Sequence, residues 1–286
     1  MATRHIFLDT SILDTLERHP VLLNMLCHPR RSNVRGVVSL FQWYDISSDG
    51  REERRKSRVS LLERLNPLWL KHIVRLKREY VEYRFLRFLR LHPTRPKRFS
   101  RSFDAALEAE SGKRARSPIT LAEGVSMGAK HPRLFASVRS AGQEWVRASA
   151  WLQANRHLGN VAPAIVSERF IRRHIPERSP NGLSLEPDRR TIDAFVRRFK
   201  WRKVPEFALE AAIFGTNVRW PRHLVASEAC DLMAATAAML HCDGMLHDKR
   251  IAELVRRVRP AVPWKLAREF RHRDLGTVVR WIRRAD

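Results

Sequence analysis

The side chains of this chain whose type and spacing could do chemistry are acidic. Asp9 ends the apolar run Ile6-Phe7-Leu8, and Asp231, Asp243 and Asp248 punctuate the segment ACDLMAATAAMLHCDGMLHDKRIAELV at 229–255. The surroundings are cationic: 55 Lys and Arg stand against 30 Asp and Glu, for a formal net charge of +25. If the two segments lie side by side, four carboxylates converge. Gathered carboxylates repel unless a proton or a cation neutralises them. Oxygen donors without Cys or His suit Mg²⁺ or Mn²⁺. The pattern therefore points to a divalent metal held where a phosphate backbone lands.

Each acid also has a plainer reading. Asp9 can cap the helix that follows it, and Asp231 can be a helix-opening acid favoured by the helix dipole. Asp243, before Gly244, can be a turn residue. Asp248, before Lys249 and Arg250, can be a surface ion-pair partner. His241, Cys242 and His247 do not have the spacing of common structural zinc sites. No C2H2 finger, RNP1 motif or Walker A loop is present.

The elements that must position these acids alternate. Residues 4–10 have the pattern of a strand, and 11–26 have helical spacing that Pro20 interrupts. Residues 35–46 begin as a second strand and turn helical near Phe41. Near the other end, the Ala-rich helix opens at Asp231 and a short strand ends at Asp248. Alternating strands and helices predict an α/β fold with a parallel sheet flanked by helices, whose carboxyl strand ends meet in a crevice. The core is expected from 1–46 and 205–286, with a mostly helical, basic insertion over 47–204. Within that insertion, 68–91 reads as a basic amphipathic stretch. Basic loops are expected at 92–103 and 111–119, helices at 134–157 and 192–201, and a connection at 169–190. Residues 205–216 are apolar enough to be buried.

At this point the motifs resemble a family. HIFLDTSIL looks like the opening strand of PIN-domain nucleases: an apolar run, Asp, then Thr or Ser. DLMAATAAMLHCDGMLHDKRIAEL is similar to their closing pattern, an Asp before an Ala-rich helix and then a strand ending in a second Asp. The resemblance covers 4–46 and 226–258, roughly a third of the chain. It matches Asp9 to the first acid, Asp231 to the third and Asp248 to the fourth. The second is usually a Glu about six positions past a Ser. Here Asp45 stands at that distance from Ser39, one methylene shorter, and Glu79 is a rival. His247 stands where the family has Thr or Ser, and a compact PIN domain lacks so large an insertion.

The resemblance implies a PIN-like sheet and Mg²⁺- or Mn²⁺-dependent hydrolysis of RNA phosphodiesters. Asp9 would bridge the metal site and Asp231 and Asp248 would complete it. Asp45 or Glu79 would hold a second ion or orient water. In such centres one ion activates the attacking water and the other stabilises the leaving oxygen. Asp243 is the further candidate ligand. Toxins of toxin–antitoxin pairs, defence effectors and RNA-processing enzymes all fit. A toxin would need an inhibitory protein partner, and a homodimer is also compatible. The alternatives are a non-catalytic nucleic-acid-binding protein on a degenerate PIN scaffold and a subunit of a nucleoprotein assembly.

Composition favours a polyanionic partner, RNA before DNA. The best contact segment is KHIVRLKREYVEYRFLRFLRLHPTRPKRFSR. Lys71, Arg75, Arg78, Arg84, Arg87, Arg95, Lys97 and Arg98 would meet phosphates, and the interleaved rings could stack on bases. No apolar run is long enough to span a bilayer. Asp9, Asp14 and Glu17 break the signal-peptide pattern. Three cysteines (Cys27, Cys230, Cys242) make no disulfide framework, which suggests a reducing cytoplasm.

Overall fold

The computed structural model describes residues 3–111, 117–159, 161–179, 182, 184–219, 226–247, 249–271 and 273–284. Along the chain run β1 (Arg4–Leu8), α1 (Thr10–Leu16), α2 (Pro20–Cys27), α3 (Pro29–Ser32), β2 (Val34–Ser39), α4 (Leu40–Ser48) and α5 (Glu52–Leu65). Then come β3 (Leu68–Leu70), α6 (Ile73–Phe88), β4 (Phe99–Ser100), α7 (Phe103–Ser111), α8 (Leu121–Lys130), α9 (Ala136–Ala154) and α10 (Val161–Arg173). The last elements are α11 (Arg189–Arg198), α12 (Pro205–Arg219), α13 (Ala226–His241), β5 (Gly244–His247), α14 (Lys249–Val258), β6 (Arg268–Arg271) and α15 (Leu275–Arg283).

The strands form one α/β sheet in the order β4-β3-β2-β1-β5-β6, parallel except for β4. The apolar run Ile6-Phe7-Leu8 is continuous because both faces of β1 are covered, as is usual for central parallel strands. Phe7 joins Val37, Leu70 and Met245 on one face, against α6, α9, α12, α13 and α14. Ile6 and Leu8 join Val38, Trp69 and Leu246 on the other, against α1, α2, α4, α5 and α15. From β1 the chain moves outward to β2 and β3, and later returns to the opposite side of β1 for β5 and β6. The order therefore reverses between β1 and β5, and such a switch point opens a crevice at the carboxyl ends. Pro20 stands at the first position of α2, where its missing N–H costs nothing, so the expected break after α1 is present.

The expected boundary at residue 47 does not divide the molecule. β3 and β4, placed by sequence in the insertion, extend the same sheet. α5 supplies Leu61, Leu62 and Leu65 to the core, and α9 supplies Trp145 and Leu152. The sequence reading missed β3 because three residues are too few to show alternation. Part of the insertion does have its own core. Val81 and Phe85 of α6 meet Ile171, Phe195, Phe199 and Phe207 in a separate, aromatic cluster. The stretch expected as a connection at 169–190 begins with the last turns of α10, because Ile171 is anchored there.

Two charge groups, one buried and one half-buried, tie these pieces together. Lys77 of α6 pairs with Glu210 of α12, with both side chains under a tenth exposed, and its ammonium lies 4.1 Å from the centre of the Phe170 ring. On the other face, Arg58 of α5 grips Asp14 of α1 with two bonds of 2.8 and 2.9 Å and reaches Asp49 at the end of α4. The Arg58 guanidinium, helped by Arg54, holds the Asp14 carboxyl well below the usual carboxylate range. A depressed carboxyl pKa adds stability above about pH 4, which is lost as pH falls toward the folded value. Asp14→Ala should lower unfolding stability by roughly 2 kcal/mol at pH 7. That is less than for a fully buried pair, because Asp14 keeps 35% of its side chain exposed. Urea melts should show the gap closing below pH 3.

Candidate functional site: a carboxylate crevice at the sheet's carboxyl edge

Asp9 stands at the carboxyl end of β1, where its N–H donates to Leu246 O of β5 at 3.0 Å. It occupies the N-cap position of α1, but its side chain makes no capping bond. Instead the carboxylate accepts the Ser11 hydroxyl at 2.6 Å. Its position thus follows from β1, and its oxygens are not spent on the helix end. Asp45 arrives from α4, which starts as soon as β2 ends. Thr10 Oγ1 donates to Asp45 Oδ2 at 2.9 Å, so the residue after Asp9 holds the second acid. Gln42 locks the two strand ends: its amide accepts from Ser39 N–H and donates to Leu8 C=O.

Asp231 approaches from the other side, on α13. The helix begins at Ala226, so Asp231 sits in its second turn instead of opening it. The dipole reading is weaker there than at the first turn. Asp9, Asp45 and Asp231 line one crevice of about 60 Å³, together with Thr10, Gln42, Glu228, His247 and Arg250. That space holds a few waters or a hydrated ion. Glu228 lies one turn before Asp231, and Arg250 of α14 pairs with it at 2.6 Å.

The electrostatics of the crevice are those of crowded acids. Burial, and next to it the charge of Asp9, push the Asp45 carboxyl up to about 6 against the opposing Thr10 bond and Arg58. Burial, then Asp231 and Asp45, push the Cys230 thiol up to about 12, so the fields of both acids reach that residue. Burial pushes the Cys242 thiol up as well. Neither cysteine is an activated nucleophile.

Several expected residues lie elsewhere. Asp243 precedes β5 at the opposite end of the sheet, where its carboxylate accepts His5 N–H at 2.8 Å and its own N–H donates to His5 O at 2.8 Å. The length of β5, roughly 13 Å at 3.3 Å per residue, separates it from the crevice. Glu79 does not line the crevice. Both its oxygens take Lys71 Nζ at 2.8 Å and one takes Arg75 Nε at 2.8 Å, and it is 12% exposed. Lys71 and Arg75 are therefore committed to Glu79, and Arg78 is paired to Glu82 at 2.8 Å. Arg84, Arg87, Arg95, Lys97 and Arg98 are exposed. Asp248 lies outside the described residues.

Sequence reasoning missed Gln42, Thr10, Glu228 and Arg250. A signal for Gln42 was present: Ser39-x-x-Gln42 is a capping-box pattern. Glu228 is three residues from Asp231, hence on the same helix face. Arg250 had no local signal, because its partner is on another helix. Among the described residues no three His, Cys, Asp or Glu side chains are close enough to share one metal ion. The crevice acids supply only oxygen donors, which is the chemistry of Mg²⁺ and Mn²⁺, ions that retain waters. Among the described residues no helix is long and apolar enough to cross a membrane. No family model, curated protein or solved structure matches this chain.

The raised Asp45 carboxyl has a consequence for stability. A folded pKa above the ordinary 3.8 means the fold prefers the protonated acid, so this group costs stability as pH rises from about 4 through 6. In metal-free buffer, Asp45→Asn should stabilise the protein at pH 7.5 by up to about 3 kcal/mol, at about 1.4 kcal/mol per pH unit. Denaturation at pH 4 should show no gain. A gain independent of pH would contradict the assignment.

Proposed function

We propose that the crevice is the active site of a divalent-metal-dependent endoribonuclease of PIN-like design. The observation that supports this most is the convergence of Asp9, Asp45 and Asp231 at a switch point in a chain of net charge +25. An isolated acidic cluster in a basic protein is costly unless a cation occupies it, and a cation at a basic surface draws a phosphodiester. Asp9 and Asp45 would hold Mg²⁺ or Mn²⁺, with Asp231 and Glu228 reaching it through its bound waters. The bound ion would supply an activated water and stabilise charge on the leaving oxygen. Thr10 and Ser11 orient Asp45 and Asp9, and Gln42 keeps the two strand ends in register. Arg250, paired to Glu228 at the crevice, would meet the phosphate. Ionising Asp45 requires pH above about 6 or a metal that displaces its proton, so activity should rise with pH through that range.

A second reading is a nucleic-acid-binding protein without turnover. The shorter Asp45, held partly protonated near neutrality, favours it. A toxin or defence role, an inhibitory partner and a homodimer are extensions of the nuclease reading.

The test is cleavage of labelled single-stranded RNA and DNA by the purified protein with Mg²⁺, Mn²⁺ or EDTA. Metal-dependent RNA cutting is expected, falling at least a hundredfold in Asp9→Asn and in Asp231→Asn. Asp45→Glu should raise the rate if the short side chain weakens the site. Cutting unchanged in Asp9→Asn would sink the proposal. Salt-sensitive binding by every variant with no cutting would leave the second reading.

A further inference from the structure

We propose that the aromatic cluster outside the sheet carries a dedicated RNA-backbone anchor, formed by the distal half of α6, the loop after it, and α11 with the turn that follows. The choice of RNA rests on the nuclease reading of the crevice. The anchor itself rests on charge placement. Residues 83–98 contain six Lys or Arg and no Asp or Glu, and residues 195–204 contain five and none. These two acid-free stretches, about a hundred residues apart in sequence, meet in space. Phe195 of α11 packs on Phe85 and Phe88 of α6, with ring centres 5.0 and 5.6 Å apart.

Arg197, Arg198, Lys200, Arg202 and Lys203 are all exposed. Among the described residues, the acids beside these stretches are engaged: Glu82 with Arg78, Asp193 with Arg172 at 2.7 Å, and Glu206, which feels Arg98, with His241 at 3.2 Å. Several guanidinium groups on this face are set over rings. Arg198 lies 5.6 Å from the centre of Phe88, Arg87 5.9 Å from Tyr83, and Arg202 5.3 Å from Trp201. A guanidinium steadied on a ring keeps its N–H groups free for phosphate oxygens and loses less freedom on binding. Like charges crowded without counterions destabilise a fold. A phosphodiester chain offers repeating negative charge that relieves this, at a gain from released counterions.

A lipid surface fits less well. Interfacial helices present large apolar side chains beside their cations. Among the described residues the exposed large apolar side chains are Val21, Leu91, Met127 and Val161, and of these only Leu91 borders this face. The anchor is also joined to the crevice. α6 starts just after Leu70, whose register partner is Ser39 at the crevice edge. Its 16 residues span about 24 Å.

The experiment is RNA binding measured by fluorescence anisotropy in EDTA across a salt series, with a labelled single-stranded RNA of mixed sequence. Wild type is compared with Asp9→Asn, R197E/R198E/K200E and R197Q/R198Q/K200Q, each checked for folding by thermal melting. Asp9→Asn, which removes a negative charge from the crevice, should bind at least as tightly as wild type. The charge-reversed triple variant should lose at least tenfold in affinity. The Gln variant should lose less and show a salt slope shallower by roughly 2, at about 0.7 per phosphate contact. If the Glu variant does not fold, the Gln variant decides. Unchanged affinity and slope would overturn the anchor. So would duplex DNA binding as tightly as the RNA, or polyglutamate displacing RNA as well as unlabelled RNA does. Cleavage that needs Asp9 alongside unchanged binding by the triple variants would remove the anchor and leave the nuclease. RNA held through the strip without cleavage would do the reverse.

Discussion

Burial of the sheet on both faces is the constraint on which the rest of this structure depends. With Phe7, Val37 and Met245 covered on one side and Leu8, Val38 and Leu246 on the other, the central strands have no solvated face. Polar side chains near them are restricted to the strand ends. The amino end takes Asp243, which closes the start of β5 onto His5. The carboxyl end takes Asp9, and the order reversal between β1 and β5 leaves space there that helices do not fill. The same burial that makes the core stable therefore concentrates the acids where a ligand can reach them.

That concentration is costly, and the cost is visible at Asp45. Its carboxyl is buried near Asp9 and is pushed toward neutrality. Thr10 and Gln42 hold the acid and the strand ends in place against this repulsion. Sites that keep like charges together at the expense of stability are commonly those that bind a counter-charge. Elsewhere the chain settles its acids differently: Glu79, Asp14 and Glu210 each face a cation. The crevice acids differ in that, among the described residues, Asp9 and Asp45 take hydroxyl donors in place of an ion-pair partner.

What could be read from the sequence was what is local. Ile6-Phe7-Leu8 before Asp9 marks a buried strand with an acid at its tip. The segment from 35 to 46, which begins as a strand and turns helical near Phe41, marks the second strand and carries Asp45. The Ala-rich stretch marks a helix that packs closely. What could not be read depends on distant partners. β3 and β4 are too short to show a period. Glu79 looked available because Lys71, which pairs with it, lies eight residues earlier, before the helix begins. Asp243 looked like a member of the cluster because four strand residues turn a short sequence separation into opposite ends of a sheet. The boundary at 47 reflected a change in charge density, while packing continues across it.

α6 has one more consequence. Its first turns, through Ile73 and Leu76, belong to the sheet's core, and its later turns, through Val81 and Phe85, belong to the aromatic cluster. Between them Lys77 is buried against Glu210 of α12, a helix that also contributes to both. A helix cannot melt at one end of such a shared stretch without stranding a charge in the interior, which costs several kcal/mol. Through this pair the basic cluster is tied to the sheet. The two should be lost together in a single cooperative step, and a protease that nicks a surface loop should find no self-sufficient half to release.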